Sequence, residues 1–295
     1  MRDLNEHTIT AAVLDRFAGT PDPRLKAVLG SLVQHLHDFV RDVEPIFEEW
    51  ERAIEYLTRT GQTCTDTRQE FILLSDVLGV SMLVDAINHR MPAGATETTV
   101  LGPFHVADVP FSANGADIGA GLAGERLFVE GSVSSADGPP LPGAVLEVWQ
   151  SDNDGFYDVQ RPELIGPSLR TRLRADEDGR FHFWTIMPTE YPIPDDGPVG
   201  ALLTATKRHP WRPAHLHFMI ASEGHETLVT HIFVQDGPYL DSDAVFGVKQ
   251  SLIREFTHEA PGRAPDDTDA PGPWRRLSFG FGLKPIRAPT LAAAD

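Results

Sequence analysis

The sequence predicts a mainly β protein, an antiparallel β-sandwich preceded by an N-terminal α-helical domain. Two observations carry that prediction. Apolar residues recur at three- and four-residue spacing up to about residue 95, and beyond Pro92 the period falls to two. Turn clusters such as SADGPPLPG and DEDG then separate short apolar runs, as between the strands of a sandwich or barrel. The expected division is a helical domain over 1–98 and a sandwich domain over 99–295.

The helical elements follow in order. Leu25, Val28, Leu29, Leu32, Val33, Leu36, Phe39, Val40 and Val43 share one helix face, and Asp22 before Pro23 marks its start. Ile46, Phe47, Trp50, Ile54 and Leu57 form a second stripe that stops near Gly61. A third helix is expected from Asp66 through Phe71, Ile72, Leu73 and Leu74 to Val84 and Ile87, before Pro92. These stripes exceed what a few short helices can bury alone, so a second domain or a second copy is expected against them.

The strands come next. Leu127, Val129, Gly131 and Val133 alternate, and AVLEVWQ reads as a strand buried on both faces. LRTRLRA and RFHFW flank the turn from Asp176 to Gly179, and HLHFMIA, LVTHIFV and RRLSFGFGL continue the pattern. Trp149 and Trp184 read as core. The connections PTEYPIPDDGPVG and KRHPWRP are too long for hairpin turns, and ordered loops of that kind tend to carry sites.

Composition narrows the function. Lys and Arg number 25 against 43 Asp and Glu, a formal charge of −18, which repels polyanions and argues against nucleic acid binding as the main function. No apolar run approaches the ~18 residues that cross a bilayer. The single Cys64 makes no internal disulfide, and MRDLNEHTIT lacks a secretory pattern, so a cytoplasmic location is expected.

His215 and His217, at i and i+2 of a strand, lie on one face and can converge on one ion. The alternative is a solvated pair. A zinc hydrolase would add an aspartate where Met219 stands, and Glu223 is too far for a cupin pattern. Two of the four tyrosines sit conspicuously, Tyr157 in DNDGFYD and Tyr191 in PTEYPIP; each alone reads as a loop aromatic at the core edge. A free phenol ionises near pH ~10, so a phenolate at neutral pH needs a highly charged cation. Two phenolates leave a trivalent ferric ion one positive charge. A hydroxide cancels it, and a doubly charged catecholate can take its place.

TEYPIP, RPAHLHF, DNDGFYD and FVQDGPYLDSDAVFGVK resemble the intradiol ring-cleaving dioxygenases over nearly the whole chain. The resemblance implies Fe(3+) held by Tyr157, Tyr191, His215 and His217, with Tyr191 leaving when substrate binds. EFILLSDVLGVSMLVDAI and TETTVLGPFHV are similar to the hydroxyquinol 1,2-dioxygenase branch. That likeness implies a pocket at Leu73, Asp76, Val100, Leu101, Gly102, Pro103, Phe104, Ile193, Pro194, Arg212 and Val245. Asp76 is the sole carboxylate among them and suits a third ring hydroxyl in an apolar pocket; the alternative is a helix cap after Ser75. Leu101 stands where relatives have an aromatic.

The implied reaction inserts both atoms of O2 into hydroxyquinol and gives 3-hydroxy-cis,cis-muconate, the enol of maleylacetate. Arg212 would stabilise negative charge developing on the ring, and Gln235 would help polarise the substrate. His209, His225 and His231 are read as non-ligands. The implied partners are an aromatic diol or triol with O2, a second copy in a homodimer, and a phospholipid in the helical interface. Two rivals remain: a catechol or chlorocatechol 1,2-dioxygenase, and a noncatalytic binding sandwich with a helical arm and no metal.

Overall fold

A computed structural model describes residues 2–66 and 68–286. The end of the expected 99–295 span, residues 287–295, lies outside the described residues. The chain divides into two compact units between Arg59 and Thr60.

The first unit is built on α1 (Ile9–Arg16), α2 (Pro23–Val43) and most of α3 (Phe47–Thr63). The side chain of Asp22 caps α2, accepting from the backbone N–H groups of Arg24 at 2.8 Å and Leu25 at 3.2 Å. Thr10 of α1 meets His37 of α2 at 2.9 Å. Leu32, Leu36, Phe39, Val43 and Trp50 of the expected stripes are exposed.

The second unit starts with α4 (Glu70–Val77) and α5 (Val80–Asn88), where the sequence led us to expect one helix. Gly79, at φ +73, breaks the run with a left-handed residue, and its N–H closes the end of α4 on the Asp76 carbonyl. Helical by period, these two helices still fold with the strands. Leu73 and Val77 share an apolar cluster with Ile193, Val199, Leu203, Ala244 and Val245.

The strands are β1 (Arg126–Ser135), β2 (Val145–Gln150), β3 (Arg170–Arg174), β4 (Arg180–Ile186), β5 (Tyr191–Pro192), β6 (Trp211–Arg212), β7 (His215–Ala221), β8 (Leu228–Val234), β9 (Ile253–Arg254), β10 (Thr257–Glu259), β11 (Gly262–Arg263), β12 (Asp269–Ala270) and β13 (Trp274–Leu283). Helix α6 (Pro198–Ala205) follows β5 and begins within the end of a connection expected to be loop, with Pro198 in its first turn.

One sheet has the order β3-β2-β7-β8-β9 and the other β10-β13-β1-β4. Leu146, Val148, Leu216, Phe218 and Ile220 from the first meet Val129, Phe181, Phe183, Leu277 and Phe281 from the second in one buried core. Ring contacts cross it, with Phe218 and Phe281 at 4.8 Å. This is the expected sandwich, with two parallel pairings inside it. β1 runs parallel to β13 from Arg126 opposite Trp274 to Ser135 opposite Leu283, and β8 runs parallel to β9.

Because Leu216, Phe218 and Ile220 fill the core, strand alternation turns His215, His217 and Met219 to the other face of the five-stranded sheet. That outer face carries the site.

Candidate metal centre

Strand register sets the first row of the site. Trp149 of β2, His217 of β7 and His231 of β8 stand side by side across three neighbouring strands. The indole stacks on the His217 ring at 4.6 Å and 15°. His231 Nε2 lies 2.8 Å from His217 Nδ1, and His231 Nδ1 lies 3.0 Å from Thr99 Oγ1. His215 donates from Nδ1 to the Pro213 carbonyl at 2.7 Å. A carbonyl only accepts, so the His215 proton sits on Nδ1 and Nε2 keeps its lone pair.

The two tyrosines arrive from outside the five-stranded sheet. After β2, the Asp152 carboxylate accepts the N–H groups of Asp154 and Phe156, both at 2.9 Å, and forms a tight turn. Gly155 in that turn is at φ +86, and a β-carbon there would stand 3.1 Å from Tyr191 Cβ. Tyr157 follows at once, and the short helical turn Asp158–Gln160 holds it. Asp158 is paired with buried Arg170, which donates to the Phe104 carbonyl at 3.0 Å. The Phe104 ring stacks on Tyr157 at 4.4 Å and 20°. Tyr191 sits on β5 opposite Arg212 on β6.

Four polar atoms therefore meet. Tyr157 Oη lies 2.9 Å from His217 Nε2 and 3.3 Å from Tyr191 Oη, and His215 Nε2 lies 3.1 Å from His217 Nε2. Donor atoms ~2.0–2.1 Å from a common ion stand about 2.9 Å apart at right angles and about 3.4 Å apart at tetrahedral angles. All four residues are 3% exposed or less. Burial, then the charge of Arg212, lowers the His215 pKa to about 3, and burial holds His217 and His231 well below the usual range. The imidazoles are thus neutral and ready to ligate. Burial raises the Tyr157 phenol well above its usual value, a cost that a cation bound to the oxygen reverses.

Among the described residues, His215, His217 and His231 group with potential ligand atoms within 4.8 Å, an arrangement that could hold a metal ion. Both nitrogens of His231 are already engaged, with His217 and Thr99. Tyr157 Oη instead faces the open Nε2 of His217, with Tyr191 Oη beside it and His215 Nε2 also next to His217 Nε2, so a set of two phenols and two imidazoles fits an ion better than three imidazoles.

Arg212 and Asp243 form a buried ion pair beside this cluster, Nε to Oδ1 at 3.1 Å and Nη2 to Oδ2 at 3.2 Å. Arg212 Nη1 stands 3.4 Å from Tyr191 Oη. Burial works against both charges; Asp243 and the phenols nonetheless raise the Arg212 pKa, and Arg212 holds the Asp243 carboxyl below its usual range.

A cavity of about 980 Å³ is lined by Asp76, by Val100, Leu101, Gly102, Pro103 and Phe104, and by His89, which the sequence reading did not include. The segment is pinned by Thr99 N–H to the Val229 carbonyl at 2.9 Å. A β-carbon on Gly102 would stand 3.3 Å from His217 Cε1, so this wall passes directly over the imidazole. Leu73, Ile193 and Val245 form an apolar cluster, and Pro194 is half-buried. Asp76 is buried near the end of α4 rather than at its start, so it is no N-cap. Burial raises its pKa, against the opposing pull of Ser81 and Arg212.

The structure does not bring Gln235 to the cluster. β8 ends at Val234, and Gln235 is exposed in a surface groove with Tyr239 and Ser242. His231, four residues earlier and in register with His217, faces the site instead. The sequence reading also missed Asp243, which lies in an acidic loop stretch and shows no periodic signal of burial.

Two family models match the chain, "Dioxygenase" over residues 102–285 and "Catechol dioxygenase N terminus" over 22–96. A 6-chlorohydroxyquinol 1,2-dioxygenase of Cupriavidus pinatubonensis is 54% identical over 285 residues, 97% of this chain and 99% of that one. A hydroxyquinol 1,2-dioxygenase of Rhizobium sp. is 52% identical over 252 residues, 85% of each chain. The crystal structure of hydroxyquinol 1,2-dioxygenase from Pseudomonas putida superposes with a TM-score of 0.90 at 48% identity, covering 95% of this chain and 99% of that one. With its helical N-terminal region, its sandwich and its buried phenol–imidazole cluster, the chain belongs to the intradiol ring-cleavage dioxygenases and is most similar to their hydroxyquinol 1,2-dioxygenase members.

Proposed function

We propose that this enzyme cleaves hydroxyquinol between its two adjacent hydroxylated carbons, inserting both atoms of O2 to give 3-hydroxy-cis,cis-muconate and its tautomer maleylacetate. The observation that carries the reading is the meeting of Tyr157 Oη, Tyr191 Oη, His215 Nε2 and His217 Nε2 beside a pocket with two buried carboxylates, of which Asp85 is engaged by His89 and Lys249 and Asp76 makes no such ion pair among the described residues. Two phenolates and two neutral imidazoles suit Fe(3+) by charge and hardness. Bound there, ferric iron supplies a hard Lewis acid for two neighbouring ring oxygens and an acceptor for electron density from the ring.

The protein residues have separate parts. Tyr157 is held by the Phe104 stack and the turn after it, so it keeps its place. Tyr191 lacks that stack and has Arg212 at 3.4 Å, so it would be the phenol that takes a substrate hydroxyl proton. The Arg212 guanidinium then faces the negative charge that grows on the ring. Asp76 bonds the third hydroxyl, and the surrounding Val100, Leu101 and Phe104 exclude water.

The exposed stripe Leu32, Leu36, Phe39, Val43 and Trp50 supports a homodimer through the helical domain over 1–98, with a phospholipid in that interface. No described helix is long and apolar enough to cross a membrane, and we place the enzyme in the cytoplasm.

The test is iron content, the visible spectrum and O2 uptake with hydroxyquinol against catechol, for wild type and Asp76→Asn. A wine-red protein that prefers hydroxyquinol, and loses that preference in Asp76→Asn, supports the reading. Ring cleavage by colourless, iron-free protein overturns the metal assignment. A catechol preference indifferent to Asp76 makes the enzyme a catechol dioxygenase.

A further inference from the structure

We infer that Asp243 is the positioning residue that aims Arg212 at the phenol–imidazole cluster. This rests on the reading of that cluster as the reactive centre. Arg212 and Asp243 are 3% and 5% exposed. Their two hydrogen bonds occupy the edge of the guanidinium formed by Nε and Nη2. A planar guanidinium gripped on that edge has to send its remaining nitrogen the other way. Nη1 accordingly stands 3.4 Å from Tyr191 Oη and 3.5 Å from His215 Nε2.

The carboxylate is itself fixed. Asp243 Oδ2 accepts the Gly247 N–H at 2.9 Å, and Oδ1 accepts the Val245 N–H at 3.3 Å. The chain at 247 closes over the fork, because a β-carbon there would come within 3.0 Å of Arg212 Nη2 and 3.2 Å of Asp243 Oδ2. Asp76 acts on Arg212 through its field, whereas Asp243 holds it by two directed bonds. A free arginine has rotamers enough to leave the cluster, and Asp243 removes them. The guanidinium then waits where a departing Tyr191 oxygen and a charged ring need it.

The experiment compares Asp243→Asn, Asp243→Glu and Gly247→Ala in the full chain loaded with iron. The expected result for Asp243→Asn is wild-type iron content with kcat lowered about ten- to hundredfold, because small misplacements of an orienting group cost that much. KM stays within about threefold. Asp243→Glu recovers part of the loss. Gly247→Ala also lowers kcat, although it keeps both charges. A second readout needs no turnover. In ¹⁵N-labelled metal-free protein, the Arg212 Nε–H signal, identified by its loss in Arg212→Lys, shifts or broadens in Asp243→Asn.

An unchanged kcat overturns the inference, as does a lowered kcat with the Arg212 signal unmoved. If Asp243→Asn does not fold, Gly247→Ala decides, and normal kcat there overturns it. A wild-type protein that cleaves no diol sinks the reading of the centre instead, and the Arg212 signal then decides the positioning alone.

Discussion

His231 Nε2 lies 2.8 Å from His217 Nδ1, on the neighbouring strand and in direct register with it. The pair fixes which His217 nitrogen faces the cluster, since Nδ1 is engaged and Nε2 is left toward Tyr157. Thr99 at the far nitrogen of His231 completes the chain.

Replacing His231 by Phe therefore leaves a buried His217 nitrogen without a partner. Metal affinity should fall about 10–100-fold, as for other residues that orient a ligand. Competition with a chelator measures it. His231→Gln keeps a polar partner and should lose less; equal losses in both variants would contradict the argument.

Gly102→Ala should hurt twice. The residue is at φ +76, and the new methyl would press on His217 Cε1 at 3.3 Å. Backbone strain alone predicts a loss of about 1–2 kcal/mol in urea unfolding. The crowding predicts reduced metal content on top of it.

Glu70 is fully buried, accepts from Arg68 Nε at 3.0 Å and Nη2 at 2.9 Å, and receives the Val199 N–H of α6 at 3.1 Å. Glu70→Ala strands that N–H and is expected to cost about 2–3 kcal/mol by chemical denaturation. Glu70→Gln retains an acceptor for Val199 and should fall between the two.

The Asp243 carboxyl is held below its usual range by Arg212, against burial. A depressed folded pKa contributes stability that is fully present above the unfolded value of ~3.9 and disappears as pH falls through the lower folded value. The stability gap between wild type and Asp243→Asn, measured on metal-free protein, should be flat from about pH 5 to neutrality and shrink below about pH 4. A gap that grows on acidification would reverse the sign of this account.

The sequence by itself determined the helical N-terminal region and the longer strands, because side-chain period follows directly from local geometry. It also determined that His215 and His217 share one face, since residues two apart on a strand do so without outside help. The motif resemblance supplied Tyr157, Tyr191 and the Val100 to Phe104 wall, which the fold then brought to one place. Tertiary structure alone decided the rest. That Gln235 falls past the end of β8 while His231 faces His217 depends on strand register, which no local pattern states. That Asp243 is buried against Arg212 depends on a loop folding back onto β6, and an acidic loop reads as solvated until its partner is known. Pairing between distant segments is set by which apolar faces and charges complement each other in space, and a one-dimensional pattern holds no record of that distance.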